Sequence, residues 1–442
     1  MTGTTHTQSA LQIAGILRSR GYQAYLVGGC VRDLLLGRSP KDYDIATDAQ
    51  PAQVIELFPK ATLVGAHFGV VMVGDVEVAT FRSDHSYVDG RRPEGVTFES
   101  DPRQDVLRRD FTINALLLDP ESAASPEPAK GVLDWVGGVA DLKDGVIRAI
   151  GFPETRFQED HLRMLRAVRF AARFGFSIEP DTMAAIRKLR ALIVRVSPER
   201  VRDELARILT EGGARRGFEL LDESLLLEQV LPEVAAMKGV QQPPQFHPEG
   251  DVWTHTLIML EQMRSPTPAL AWGILLHDVG KPATFRMADR IRFDGHVEAG
   301  EELARSILGR LRVSNEDTDQ IIALIGNHMR FKDAPHMRES TLKRFLRLDH
   351  FEEHLELHRL DCSSSHGHLD NYELVKSRYE SSPAEELRPP RLLTGRDLIE
   401  AGYAPGPLFS KMLEAVEDAQ LEGRIQSKEE ALELVKRTAG AQ

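Results

Sequence analysis

At 442 residues the chain exceeds what one compact core usually holds, and a norm of about 100 to 200 residues per domain predicts two to four domains. Hydrophobic residues make up 42% and charged residues 28%, and no run approaches the roughly 18 apolar residues of a membrane span, so the composition is that of a globular chain. A net charge of −12 argues against a coat of nonspecific phosphate contacts. Between Phe152 and Gly217, however, 14 Lys+Arg stand against 9 Asp+Glu, either a solvated helix face or a basic stripe turned toward a polyanion. The polar start MTGTTHTQSA carries no secretory pattern, and the two cysteines, Cys30 and Cys362, lack metal-type spacing; a reducing cytoplasm is expected.

In chain order, residues 10–20 have helical periodicity, and Tyr25 to Val27 form a short apolar strand before the Gly28-Gly29 turn. CVRDLLL reads as a helix stopped at Gly37, Asp42 to Thr47 as a strand, and PAQVIELF as a helix begun by Asp48 and Pro51. VVMV and VEVATF are two strands joined across Gly74-Asp75, a hairpin dipeptide. The polar stretch Asp84 to Gln104 reads as a mobile loop, and regular structure resumes at DFTINALLLD. From Gln158 onward no strand is expected: EDHLRMLRAVRFAARFGF and the segments after it are amphipathic helices, with proline-rich breaks at VQQPPQFHPEG and LRPPRLLTGRD.

Within VGGCVRDLLLGRSPKDYDIAT, Asp42 and Asp44 are two apart on the expected strand and point to one face. Converging carboxylates repel unless a cation lies between them, and hard oxygen ligands suit Mg²⁺. Glu77 on the following hairpin can supply a third carboxylate, the device of metal-assisted phosphoryl transfer. Gly28-Gly29 before a helix can hold a phosphate on bare N–H groups. Neither GxxxxGK[ST] nor GxGxxG is present.

GGCVRDLLLG with DYD, then EVATFR, YVDGRRPEGVTF, RRDFTINALL and EDHLRMLRAVRFAARFGF, together resemble the bacterial tRNA nucleotidyltransferases and poly(A) polymerases, over roughly residues 20 to 235. The resemblance implies that Asp42 and Asp44 are the catalytic metal pair, with Glu77 beside them. It implies that Gly28, Gly29, Arg32 and Asp33 hold the triphosphate, and that Arg109, Asp110 and Asn114 contact ribose and phosphate. Glu159, Asp160 and Arg163 match the Glu-Asp-x-x-Arg motif whose Asp and Arg pair with the base of CTP or ATP in place of a template, and Arg166 one turn on is a further nucleotide-binding candidate. From the residues alone, Asp160 and Arg163 at i and i+3 on one helix face can present an acceptor and a forked donor to a flat base. The same spacing also fits a surface ion pair, and Arg109-Asp110 also fits a helix cap.

Eleven of the fifteen histidines fall between residues 246 and 368. His255, His277-Asp278 and Asp361 lie in apolar helical segments, where buried polar groups need partners, and imidazoles with carboxylates make a divalent-metal ligand set. Their spacing, with HDVGK, resembles the HD superfamily of metal-dependent phosphohydrolases; His296 and His328 match positions that complete a two-metal site in some branches. His350, His354 and His358, at i, i+4 and i+8, read as a partly exposed helix face.

The expected fold class is α+β: a small mixed-sheet nucleotidyltransferase head over residues 1–150, then an all-α body. The body comprises a helical neck over 151–240 that selects nucleotide and binds RNA, an HD domain over 241–385 and a helical tail over 386–442. The expected activity is template-independent addition of CMP and AMP to the 3′ end of tRNA from CTP and ATP. Mg²⁺ is expected at the first site and another divalent ion at the HD site, which would hydrolyse cyclic or terminal phosphates. The acidic chain and mixed-charge tail from Leu408 favour this over poly(A) polymerase, and an intact YVDGRRP disfavours CC-only addition. The other readings are a poly(A) polymerase or A-adding enzyme, an HD phosphohydrolase whose first domain merely binds nucleotide, and an RNA-binding adaptor with two dead sites.

Overall fold

The computed structural model describes residues 3–64, 69–84, 95–125 and 127–440. It divides into two compact units, Met1–Ala235 with Arg310–Arg312, and Ala236–Gly309 with Val313–Gln442.

The first unit opens with helix α1 (Gly3–Ser19), strand β1 (Ala24–Val27), α2 (Gly29–Leu35), β2 (Asp44–Thr47) and α3 (Pro51–Leu57). Three strands follow, β3 (Thr62–Leu63), β4 (Val70–Val73) and β5 (Val76–Thr80); then come β6 (Arg82–Asp84), β7 (Val96–Phe98) and α4 (Pro102–Leu107). The head is completed by β8 (Leu117–Leu118), β9 (Val132–Leu133), α5 (Gly138–Asp144) and β10 (Val146–Ile147). Seven strands form one sheet in the order β3-β4-β5-β2-β1-β8-β9. Only the β2–β5 pair is parallel, because a crossover through α3 and the β3–β4 hairpin returns the chain beside β2. Alternation along the strands buries both faces. Leu26, Ile45, Val78 and Leu118 pack with Ala10, Ile13, Ala14 and Leu17 of α1, whose spacing makes one helical stripe. Val27, Ala46 and Leu117 face the other way, onto Phe81, Val106 and Ile150.

Beyond the sheet come α6 (Pro153–Glu159), α7 (Arg163–Phe174), β11 (Ser177–Ile178), α8 (Pro180–Leu189), α9 (Pro198–Thr210) and α10 (Ala214–Glu223). Helix α7 is buried on nearly all sides and packs against α9 and α10.

Several expectations change. The strand begins at Asp44 rather than Asp42, so Asp42 lies in the bend before it. The stretch Asp84 to Gln104 is not simply a loop, since Val96–Phe98 pairs with Arg82–Asp84 and α4 starts at Pro102, capped by Asp101. Most of YVDGRRPEGVTF, residues 87–94, lies outside the described residues, so the expectation built on YVDGRRP does too. The long EDHLRMLRAV helix is interrupted: the Asp160 side chain accepts the Leu162 N–H, a local bond that competes with helix, and Asp160 sits extended at φ −141°. Strands also occur after residue 158: β11 pairs with β10, and Arg286–Met287 with Ile291–Arg292; each is two residues long, too short to leave a period in the sequence.

In the second unit the helix Pro268–Leu276 is apolar all round and buried from Ala269 to Leu276, so it forms the centre. Around it stand Val252–Gln262, Asn315–Asn327 and Phe351–Ser364. The last helices, Gly395–Glu400, Pro407–Leu421 and Lys428–Gly440, share a separate apolar cluster of Leu398, Met412, Val416, Ala431 and Val435. Arg344 and Arg347 reach that tail through Glu417 and Asp418. No helix among the described residues is long and apolar enough to cross a membrane.

Candidate functional site

The register of the sheet gathers the head-domain carboxylates. Asp44 is paired with Glu77 across β2–β5 and with Val27 across β1–β2, and Val27 leads directly into Gly28-Gly29. The buried Tyr43 hydroxyl accepts from Thr7, and Asp42, exposed in the bend before the strand, is near enough for its charge to act on Asp44. Burial first, then the charge of Glu77, pushes the Asp44 carboxyl up to about 6; Arg109 opposes this and Asp42 adds to it. Negative charges thus crowd one strand end, the arrangement that a divalent cation relieves.

Gly28 has φ 75° and ψ −126°, and a Cβ there would stand 3.3 Å from Arg109 Nη1. The turn therefore needs glycine both for its backbone and to let the guanidinium approach. Gly28→Ala should raise KM for the nucleotide about tenfold and cost about 1 kcal/mol in urea melts. Arg109 is aimed by Asp105, which accepts from its Nη2 at 2.9 Å and from Arg108 Nη2 at 2.6 Å.

Arg32 and Asp33 form a closed unit instead of reaching outward. Arg32 is 4% exposed, donates to Asp33 Oδ1 at 2.7 and 2.9 Å and to Asn114 Oδ1 at 2.7 Å, and lies 4.5 Å over the Phe174 ring. It thereby ties α2 to α7. Asp110 accepts from Asn114 Nδ2 at 3.3 Å, while its other oxygen takes the Arg166 fork at 2.6 and 2.8 Å. Although burial opposes it, Arg166 holds the Asp110 carboxyl below its usual range.

Asp160 and Arg163 come together at the α6–α7 break, not along one continuous helix. Arg163 opens α7 and donates to Glu159 Oε2 at 2.7 Å and to the Arg108 carbonyl at 3.0 Å. Asp160 Oδ2 is held by Arg200 Nη2 at 2.8 Å, so in place of the Asp160–Arg163 ion pair that the spacing also fitted there are two pairs with other partners. Sequence reasoning passed over Arg200; its signal was the basic stripe, in which PERVRDEL turns one arginine back toward α6. Arg200 Nη1 is buried without a hydrogen-bond partner. Arg200→Ala should lower kcat/KM for both CTP and ATP about tenfold by releasing Asp160, leaving the melting temperature within a few degrees.

The histidines assemble in the second unit. Three groups have ligand atoms within 4.8 Å of one another: His255 with His277 and Asp361, Asp278 with His296 and His328, and His255 again with His247 and Glu249. The backbone fixes three of the imidazoles in the same way: His277, His296 and His328 each donate Nδ1–H to the carbonyl three residues earlier, at 2.8, 2.9 and 2.6 Å. His255 Nδ1 bonds Glu249 Oε1 at 2.7 Å. The Nε2 atoms of His255, His277 and His296 are left buried without hydrogen-bond partners, His255 Nε2 only 3.1 Å from Asp361 Oδ1. Against burial, Asp361 and Glu249 raise the His255 imidazole to about 9, so a cation at that nitrogen would take the place of its proton. Inward ring nitrogens beside carboxylates are what a metal ligand set requires. Burial holds the His328 imidazole down to about 4, and His277 with Lys281 overcomes burial to keep Asp278 well below the usual carboxylate range. Gly280 is needed here, because a Cβ would meet the His296 carbonyl at 2.1 Å.

His354 and His358 are corrected. They are 2% and 8% exposed, since their helix is packed on more than one side, and His358 stacks on Phe331 at 4.1 Å. Beside the cluster lies a cavity of about 490 Å³ bordered by Asp278, His296, His328 and Asp361, with Lys281, Lys332, Phe246 and Phe293 on its wall.

A twisted mixed sheet with three carboxylates at one strand end, next to a glycine turn and an arginine, defines a divalent-metal-dependent nucleotidyltransferase. Residues 24–148 match the Poly A polymerase head domain, 175–238 the "Probable RNA and SrmB- binding site of polymerase A", and 295–435 tRNA nucleotidyltransferase domain 2. The CCA-adding enzyme of Lactobacillus johnsonii is 30% identical over 96% of this chain and 95% of its own, and that of Lactiplantibacillus plantarum 32% identical over 96% and 94%. The CCA-adding enzyme of Bacillus stearothermophilus, solved with CTP, superposes with a TM-score of 0.73 at 28% identity, covering 98% of both chains. The chain belongs to the CCA-adding enzymes, a family of tRNA nucleotidyltransferases.

Proposed function

We propose that this protein completes the 3′ CCA end of tRNA from CTP and ATP in the cytoplasm, using one nucleotide site in its first unit. The observation that carries this is the convergence of Asp42, Asp44 and Glu77 beside the Gly28 turn and Arg109. Mg²⁺ held by Asp42 and Asp44, with Glu77 alongside, supplies charge neutralisation at the α-phosphate and acidifies the attacking 3′-hydroxyl. The chain's own residues do the rest. Gly28 and Gly29 let the triphosphate approach the backbone, and Arg109, aimed by Asp105, balances its charge. Arg32, Asp33 and Asn114 act from behind by locking that turn. Asp160 and Arg163 read the base edge once Arg200 and Glu159 share them with the nucleotide; Arg166 holds Asp110 in place against them. Transfer forms a bond from the RNA 3′-oxygen to the α-phosphorus and breaks the bond to pyrophosphate, which leaves. Residues 1–150 are the head, 151–240 the neck, 241–385 an HD domain and 386–442 the tail. With tRNA lacking its last three nucleotides, CTP and ATP together should give a product three nucleotides longer; long A tails grown with ATP alone would mark a poly(A) polymerase.

The histidine cluster favours a second activity, hydrolysis of cyclic or terminal phosphates by an HD site. His255, His277, Asp278 and Asp361 would hold one divalent ion, with His296 and His328 completing a second position; the buried Nε2 atoms fit that role. Such an ion supplies an activated water for attack on phosphorus. Lys281, which donates to Asp278 at 2.7 Å, keeps that carboxylate ionised. His277→Ala should remove one bound metal equivalent from the full chain by elemental analysis while leaving CCA addition intact; unchanged stoichiometry would reduce the cluster to a structural role.

A further inference from the structure

The proline-rich stretch VQQPPQFHPEG has the sequence of a linker, yet it folds onto the histidine cluster. Gln241 bridges to Asp251, Val252 N–H bonds the Val240 carbonyl, and Gln242 Oε1 accepts from the buried Lys281 at 2.7 Å. Phe246 and His247 then line the cavity. Glu249 closes the arrangement: its side chain is 7% exposed, Oε1 takes His255 Nδ1 at 2.7 Å and His247 Nδ1 at 2.9 Å, and Oε2 is buried with no hydrogen-bond partner. Both side-chain hydrogen bonds to this carboxylate therefore come from imidazoles.

Resting on the HD metal reading above, we propose that Glu249 is a positioning residue for the metal centre: it fixes the proton of His255 on Nδ1 so that Nε2 is the ligand nitrogen. The comparison within the cluster carries the point. His277, His296 and His328 are oriented by neutral carbonyls of their own turns, whereas His255 turns instead to a carboxylate supplied from outside its helix. An ionised acceptor makes the stronger bond, enforces the tautomer and makes the opposite nitrogen the better donor to a metal. It also couples the arm to the centre, because the oxygen that orients His255 holds His247 on the cavity wall. His247 is then a wall residue and not a ligand.

The test is Co²⁺ titration of the full chain, read by its visible absorption, in an Asp42→Ala/Asp44→Ala background that silences the head carboxylates. Glu249→Ala should bind Co²⁺ about 10- to 100-fold more weakly, Glu249→Gln, which keeps an acceptor oxygen, about three- to tenfold, and His247→Ala within about threefold of the parent. ¹⁵N spectra of the Zn²⁺-loaded parent should show His255 with its proton on Nδ1 and the metal on Nε2; the reverse arrangement overturns the inference. Glu249→Ala binding as tightly as the parent overturns the inference alone; a parent that takes up no Co²⁺ removes the HD reading and this inference with it. Equal losses in Glu249→Ala and His247→Ala would make His247, Glu249 and His255 themselves the ligands, also against the proposal. Should Glu249→Ala not fold by circular dichroism, Glu249→Gln decides, and parent-like affinity there overturns it.

Discussion

Asp44→Ala is expected to lower nucleotide incorporation by about 10³-fold or more, several kcal/mol of lost transition-state stabilisation, without unfolding the head. Asp44 opens β2, the strand between β5 and β1, level with Glu77 on one side and with Val27, which leads into the glycine turn, on the other. Its removal deletes the charge that Glu77 and Asp42 were crowded against, and burial with that repulsion outweighs the attraction to Arg109 that is lost with it. Thermal stability should hold or rise slightly while activity vanishes, a combination that a structural role cannot produce. Because Asp44 retains its proton up to about pH 6 in the metal-free protein, a divalent ion must displace that proton below this value. Metal affinity should therefore fall by up to about tenfold per pH unit on acidification below 6, as isothermal titration would read. A pH-independent affinity would place the ion elsewhere.

Asp160→Ala is expected to cost specificity more than rate. A site built to hydrogen-bond a base edge rejects bases that leave its groups unpaired, and one such contact supplies about 1–3 kcal/mol, or about 10- to 100-fold. The ratio of kcat/KM for CTP over UTP, on tRNA lacking its terminal residues, should fall by that factor. Asp160 stands where a rigid acceptor is wanted: its Oδ1 is pinned by the Leu162 N–H and its Oδ2 by Arg200, at a break that brings it beside Arg163. Unchanged discrimination would mean that these two residues are an intramolecular brace only.

Much of this arrangement could be read from the residues because it depends on local pattern. The Gly28 turn, the strand carrying Asp44, the Gly74-Asp75 hairpin and the apolar helix ending in His277-Asp278 each leave a period or a punctuation mark in the chain. The misreadings arose where a side chain competed with the backbone or where tertiary packing decided. Asp160 interrupts a pattern that is helical throughout, by bonding its own neighbour. For Arg32, read as a phosphate ligand, the folded chain adds three hydrogen bonds and an aromatic face that no local pattern announces. His354 and His358 have the spacing of a surface row and are buried because helices close over that row, which periodicity alone does not reveal. Arg200 and Glu249 serve partners 40 and 6 residues away, through contacts that only the folded chain creates.

The central claim is that a single site in the first unit accepts both nucleotides. Its most direct test is AMP addition to tRNA ending in CC, with ATP varied at several fixed CTP concentrations. One shared site predicts competitive inhibition by CTP, with an inhibition constant equal to the CTP dissociation constant of the same complex and both values shifted together by Asp160→Ala. Inhibition that raising ATP cannot overcome, or CTP binding that survives alongside bound ATP, would show two nucleotide sites and contradict the account.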